Sequence, residues 1–149
     1  MRFPKPERKK KDRKAIRKKS IKPIPRLKEK LQTIFNRYIV LRDGQCITCG
    51  TRYNLQCSHY FSVGAAPSIR YNEINAHCQC SGCHQGYHAQ GNSKIMLGGG
   101  HTYAIYMLSV YGENVIAELK AEGSKSYKWT IDELQEKIDY YSGLVKSME

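Results

Sequence analysis

The chain has no run of 18 or more apolar residues, so no membrane-spanning helix is expected. No apolar core follows the positive charges of residues 1–20, so no secretory signal is expected there either. There are no internal repeats. Acidic residues are scarce at one end: residues 1–30 hold only Glu7, Asp12 and Glu29 against 15 Lys and Arg. Without a secretion signal, the six cysteines are not read as a disulfide set. A cytoplasmic protein is expected.

The formal net charge of the 149-residue chain is +12, and residues 1–30 account for all of it. Residues 31–149 carry equal numbers of basic and acidic side chains. A polycationic arm on an electrically balanced body points to a polyanion, most commonly nucleic acid. Arg8, Lys9, Lys10, Lys11, Arg13, Lys14, Arg17, Lys18 and Lys19 are the candidate phosphate contacts. Each such contact releases counterions, so binding should weaken steeply with salt. A solvated tail or a targeting signal would carry similar charges. With Pro4, Pro6, Pro23 and Pro25, residues 1–25 read as a flexible or partly helical arm, and residues 26–149 as the folded domain.

Beyond Arg26, Leu27, Leu31, Ile34, Tyr38 and Leu41 recur on one helical face, which Asp43-Gly44 should end. Residues 55–61 and 69–78 read as the strands of a hairpin with a long loop. A short helix is expected from His84 to Gly91, and Gly98-Gly99-Gly100 reads as a loop. Tyr103, Tyr106, Met107 and Val110 predict a helix that stops at Gly112, and Val115, Ile116 and Leu119 a second. Residues 123–126 read as a linker. Thr130-Ile131-Asp132-Glu133 is a capping box before a last helix with Ile131, Leu134, Ile138, Tyr141 and Val145 on one face. The fold class expected is α+β.

Cys46-x-x-Cys49 and Cys80-x-x-Cys83 are two knuckles, each able to present two thiolates from a tight turn. Zinc favours four soft ligands in a tetrahedron, so these four cysteines are assigned to one structural Zn²⁺. Such a site ties two distant segments together and stabilises a small core. Cys78 competes with Cys80 as a ligand, but its distance from Cys83 is too wide for a knuckle. Cys57 and Cys78 are therefore read as buried free thiols.

The zinc leaves the histidines unexplained. His59 lies in the first predicted strand, Asn75 in the second, and His84 follows the last knuckle cysteine. This order resembles the HNH, or ββα-metal, nuclease motif. The resemblance implies that His59 is the general base toward water, that Asn75 holds the hairpin and orients His59, and that His84 helps hold a catalytic divalent cation. A histidine with an ordinary pKa near 6.5 is suited to such a base at neutral pH. His84 and His88 are four residues apart, so on a helix they share a face and could reach one metal.

The stretches SHYF, AAPSIRYNEIN, HCQCSGC and QGN extend the match. So do Tyr38-Ile39 with Leu41-Arg42-Asp43 upstream, and Tyr111-Gly112, Lys128-Trp129-Thr130 and Tyr140-Tyr141 downstream. Over residues 31–147 the chain resembles the phage recombination-endonuclease family typified by NinG, also called Rap. That resemblance implies a small ββα-metal (HNH-like) core stapled by the four-cysteine zinc site, flanked by helices. It also implies a substrate class of branched DNA, such as Holliday junctions and D-loops. Where many HNH enzymes carry Asp before the first His, this chain has Ser58, preceded by Cys57. Where relatives of the phage family often carry Asn after the last CxxC, it has His84. The ligand set of the catalytic ion stays open, with Glu73 and Asn92 as oxygen candidates. Mg²⁺ prefers oxygen, and a histidine-rich site suits Mn²⁺ or another softer ion better.

The function expected is metal-dependent endonucleolytic hydrolysis of DNA. Two rivals keep the cysteines and the arm: a non-catalytic zinc-ribbon nucleic-acid-binding module, and an RNA-binding or ribosome-associated factor. A homodimer would suit an enzyme that cuts two strands. Tyr140, Tyr141 and Leu144 could face either a partner or the chain's own core.

Overall fold

The computed structural model describes residues 23–90 and 103–149, with the side chains of 86–90 left out of that description. The arm residues Arg8–Lys19, Asn92 and the loop at 98–100 lie outside the described residues. The described part is α+β. In chain order it consists of α1 (Pro23–Asp43), β1 (Leu55–His59), a 3₁₀ turn (Pro67–Ile69), β2 (Ala76–Cys80), α2 (Ser81–Gln90), α3 (Tyr103–Gly123) and α4 (Ile131–Met148). None of the described helices is long and apolar enough to cross a membrane.

Helix α1 starts at Pro23, ahead of the expected Arg26. Its first turn holds both Pro23 and Pro25, where a missing backbone N–H leaves no helical bond unmade. It ends as expected: Gly44, at φ 65, is left-handed, and its N–H donates to the Val40 carbonyl at 3.0 Å. Leu31 and Tyr38 are buried as the pattern predicted, but so are Phe35 and Ile39, which it omitted. Both α4 and the hairpin cover α1, so its buried face is wider than one stripe.

The main core joins Leu31, Phe35, Tyr38 and Ile39 to Leu134, Ile138 and Tyr141 of α4, with Tyr71, Ala76 and Trp129. The Phe35 ring meets the edges of Tyr71 and Tyr141 at 5.8 and 5.1 Å. The capping box of α4 is present: the Glu133 N–H donates to Thr130 Oγ1, and the Thr130 N–H donates to Glu133 Oε2. Ile131 is an exception in its stripe, 46% exposed at the helix start. Tyr141 and Leu144 pack within the chain, whereas Tyr140 is exposed.

The strands pair antiparallel, with Leu55 opposite Cys80, Cys57 opposite Cys78 and His59 opposite Ala76. The second strand therefore begins at residue 76 rather than 69. Residues 67–69 form the 3₁₀ turn, and Asn72 accepts the Ile74 N–H through its side chain at 2.8 Å, holding a turn just before the strand. Asn75 precedes β2 instead of lying within it. Helix α2 follows β2 directly from Ser81, earlier than the expected His84, so the succession is strand, strand, helix.

Below the hairpin, a second cluster gathers Ala66, Ile69, Tyr103, Met107 and Leu119. Gly112 (φ 77, ψ 168) interrupts α3 where the first of two helices was expected to stop. Gly123 ends α3 against the 3₁₀ turn, where a Cβ would stand 3.0 Å from both Ala66 and Ile69 side chains.

Candidate functional site

The four knuckle cysteines converge. The Sγ atoms of Cys46, Cys49, Cys80 and Cys83 all lie within 4.8 Å of one another. The Cys49–Cys80 separation is 3.7 Å. Four sulfurs at a Zn–S distance of about 2.3 Å stand about 3.8 Å apart in a tetrahedron, so the cluster suits a metal such as zinc. The first knuckle is shaped by backbone bonds: Cys46 N–H to Thr51 O at 2.8 Å and Gly50 N–H to Cys46 O at 2.9 Å. It is tied to β2 by the Ile47 N–H, which donates to Cys78 O at 2.9 Å. Cys80 closes β2 and Cys83 stands in the first turn of α2.

The thiols oppose one another. Burial, then the neighbouring Cys80 and Cys49 thiols, push Cys83 above its ordinary value. At Cys46 burial also opposes ionisation, but backbone donors around Cys49, Cys80 and Thr48 outweigh it and bring the thiol down to about 7. A divalent cation resolves such a conflict by holding all four sulfurs ionised. Cys57 and Cys78 stay outside the cluster. Burial is the first cause holding each near 12.

His59 is the last residue of β1 and is 8% exposed. Its ring packs 6.2 Å from Phe35, and its Nε2 lies 3.0 Å from the Arg70 carbonyl. A carbonyl only accepts, so Nε2 carries the proton and a neutral His59 has its lone pair on Nδ1. Arg70 is held in turn by α1, through Nε to Gln32 Oε1 at 2.7 Å.

Asn75 is fully buried. Its Oδ1 accepts the Phe61 N–H at 2.8 Å and its Nδ2 donates to Phe61 O at 3.0 Å. The Tyr60 N–H donates to the Asn75 carbonyl at 2.8 Å. One side chain thus replaces a strand residue and continues the ladder past His59. Leaving those buried groups unpaired would cost about 1–3 kcal/mol.

His84 stands on α2 with Nδ1 2.9 Å from Gln56 Oε1. The amide oxygen accepts the Nδ1 proton, which puts the lone pair on Nε2, an arrangement metal-ligating histidines commonly adopt. His84 lines a cleft of about 540 Å³ with Leu55, Gln56 and Cys57 of β1 and Thr33, Asn36, Arg37 and Val40 of α1. Gln56, the strand residue that His84 bonds, stands three residues before His59 on β1, about 10 Å along the strand. His88 lies one turn beyond His84 in α2, and its side chain falls outside the described residues.

Both oxygens of Glu73 already accept hydrogen bonds. Tyr38 donates to its Oε2 at 2.7 Å and Tyr141 to its Oε1 at 3.2 Å. Burial and then this carboxylate push the Tyr38 hydroxyl up to about 12. Glu73 works as a pin between α1 and α4, which sequence distance concealed.

Sequence reasoning also passed over His77. It lies opposite Ser58 in the hairpin, is 1% exposed, and is ringed by Tyr103, Tyr106 and Tyr111. The Tyr103 hydroxyl donates to Ser58 O at 3.1 Å, so His77 Nδ1–H donates to Tyr103 Oη, also at 3.1 Å. Nε2 then accepts from the Tyr111 hydroxyl at 2.8 Å. This directed chain fastens α3 to the backbone immediately before His59. Strand alternation was the available signal, since it sets His77 and Gln79 on one face. Ser58 Oγ and Gln79 Oε1 are buried on that face without a hydrogen-bond partner among the described residues.

A family model described as "Bacteriophage Lambda NinG protein" matches residues 2–149. The chain is 33% identical over 126 residues to "Protein ninG" of Escherichia phage lambda, a match covering 82% of this chain and 57% of that protein. It is 32% identical over 127 residues to "Protein ninG" of Escherichia phage 933W, covering 83% and 58%. Against "Protein ninG" of Salmonella phage P22 it is 32% identical over 126 residues, covering 82% and 57%. The chain thus spans little more than half the length of these curated relatives. No solved structure matches it.

Proposed function

This chain belongs to the family of the bacteriophage lambda NinG protein, and from that we propose that it is a divalent-metal-dependent DNA endonuclease with an HNH-type core, acting on branched recombination intermediates such as Holliday junctions and D-loops. The observation that carries the reading is the fixed tautomer of His59. The Arg70 carbonyl accepts a hydrogen bond from Nε2–H and Asn75 clasps the chain beyond it, so one imidazole lone pair is held on a rigid strand end. In this role Nδ1 accepts a proton from the attacking water.

His84, with its lone pair on Nε2, would hold the catalytic ion, together with His88. A bound divalent cation there would offset charge on the phosphate and the departing oxygen. A histidine-rich set favours Mn²⁺ over Mg²⁺. The four-cysteine cluster, with structural Zn²⁺, holds the start of α2 and so fixes where His84 stands. The basic arm grips phosphates without regard to sequence. HNH chemistry would leave 5′-phosphate and 3′-hydroxyl ends. The protein would work in the cytoplasm of the host cell, and a homodimer would let it cut two strands.

A second reading, a zinc-ribbon nucleic-acid-binding module without catalysis, has one observation in its favour. His59, the residue that would have to reach water and phosphate, is nearly buried.

Cleavage of a labelled four-way junction and a matched linear duplex, with Mg²⁺ and with Mn²⁺, tests both. Wild type and His59→Ala would be compared after circular dichroism has established that the variant is folded. Metal-dependent cutting of the junction, lost in His59→Ala while binding persists, is the expected outcome. Binding without cutting in either metal sinks the nuclease and favours the ribbon module. Equal cutting of the duplex keeps the nuclease and removes the preference for branched DNA.

A further inference from the structure

Helix α1 uses one side for the core and leaves the other for the cleft. Thr33, Asn36, Arg37 and Val40 form the cleft wall facing β1 and His84. Helical spacing extends that side toward the helix start. Lys30 precedes Thr33 by three residues and Arg37 by seven, and Arg26 stands one turn before Lys30. Arg26, Lys30, Thr33 and Arg37 are all exposed. Along the axis the row covers about 16 Å, at about 1.5 Å per residue. It begins just after the basic arm in sequence and ends at the cleft.

The existing partners of these side chains are weak competitors. Arg37 pairs with Glu149 at 2.9 Å, but the two are 56% and 50% exposed. Such a pair is worth under about 1 kcal/mol, so a phosphate can displace the carboxylate. Asn36 accepts from Gln32 through Oδ1 at 2.7 Å, which leaves its amide N–H₂ as a donor. Glu29 is the single acid on this side of α1 between Arg26 and Arg37. Thr33 donates its hydroxyl proton to the Glu29 carbonyl at 3.1 Å. Cations one and two turns apart, with the Asn36 amide donor on the same side, match a linear polyanion rather than a compact anion.

We propose that the outer stripe of α1, with the cations Arg26, Lys30 and Arg37, is a track for the phosphate backbone of DNA, leading the strand to the cleft beside His84. The choice of DNA rests on the nuclease reading, whereas the track itself does not require cleavage.

The test is fluorescence anisotropy of a labelled four-way junction across a salt series, using the full chain without added divalent cation. A triple variant, Arg26→Gln/Lys30→Gln/Arg37→Gln, should bind about tenfold or more weakly near 0.1 M salt. Its slope of log K against log salt should fall by about 2–3, close to 0.9 per phosphate contact removed. A control triple at exposed positions elsewhere, Lys120→Gln/Lys125→Gln/Lys128→Gln, should keep the wild-type slope. Glu29→Gln should bind more tightly than wild type, a gain that misfolding cannot produce. A stripe variant that keeps the wild-type slope, or loses no more than the control, overturns the track. So does a Glu29→Gln variant that gains nothing. Binding is read without cutting, so a wild type inactive with both metals would sink the nuclease reading and leave this result intact. An active nuclease with an indifferent stripe would sink the track alone.

Discussion

His77 Nδ1 and Tyr103 Oη lie 3.1 Å apart, and the bond between them runs from the imidazole to the hydroxyl. The direction follows from the next link, where Tyr103 spends its only proton on the Ser58 carbonyl. A strand and a helix that begins 26 residues later are thereby joined at the residue before His59.

His77 should make stability depend on pH. Burial first, then Arg42, lowers its pKa from 6.5 to about 4. The unfolded chain therefore binds this proton more readily, and the stabilising contribution is complete above about 6.5. It is lost as pH falls toward 4, with a total of up to about 3 kcal/mol. Urea unfolding between pH 4 and 7 should show this loss in wild type and a flatter profile in His77→Gln. An unchanged profile would remove His77 as the source.

The cysteine cluster should carry metal and stability together. Cys49 is exposed, so Cys49→Ser removes a ligand without opening a cavity in the core. Zinc content should fall and Tm should drop by several degrees, whereas Cys57→Ala should keep its zinc. Metal analysis paired with calorimetry decides it, because full zinc retention in Cys49→Ser would break the assignment.

Asn75→Ala should cost about 1–3 kcal/mol, since it leaves the Phe61 N–H and C=O without their buried partner. Hydrogen exchange would locate the damage: protection of the Phe61 amide should collapse while that of α4 stays near wild type. Uniform loss across both would point to a general destabilisation instead.

Glu73→Gln should leave the metal dependence of any cleavage unchanged, because tyrosine hydroxyls occupy the carboxylate. The pKa of Tyr38 should fall below about 12 as the negative charge disappears, with burial still holding it above its ordinary value. Ultraviolet titration of the tyrosines measures that shift. A changed metal requirement would return Glu73 to the candidate ligands.

Several features were legible along the chain because they depend on neighbours in sequence. The turn at Asp43-Gly44, the break at Gly112 and the Thr130–Glu133 capping box each rest on a few consecutive residues. The four cysteines could be grouped because knuckle spacing restricts where their sulfurs point, and the structure brings those sulfurs within 4.8 Å. His59, Asn75 and His84 could be named from their order along the chain, but not their surroundings.

Tertiary contact decided the rest. The second strand begins at residue 76 because the 3₁₀ turn and the Asn72 side chain hold the preceding backbone, a competition that β-propensity does not register. Phe35 and Ile39 are buried because α4 and the hairpin cover α1 from two directions. Glu73 became a pin, and His77 a link to α3, through hydroxyls contributed by distant helices. Local patterns set where helices start, where turns fall and which thiols can share a metal, because those energies arise within a few residues. Which polar groups meet in the interior is set only when the helices dock, because each buried donor must then find its acceptor across the fold.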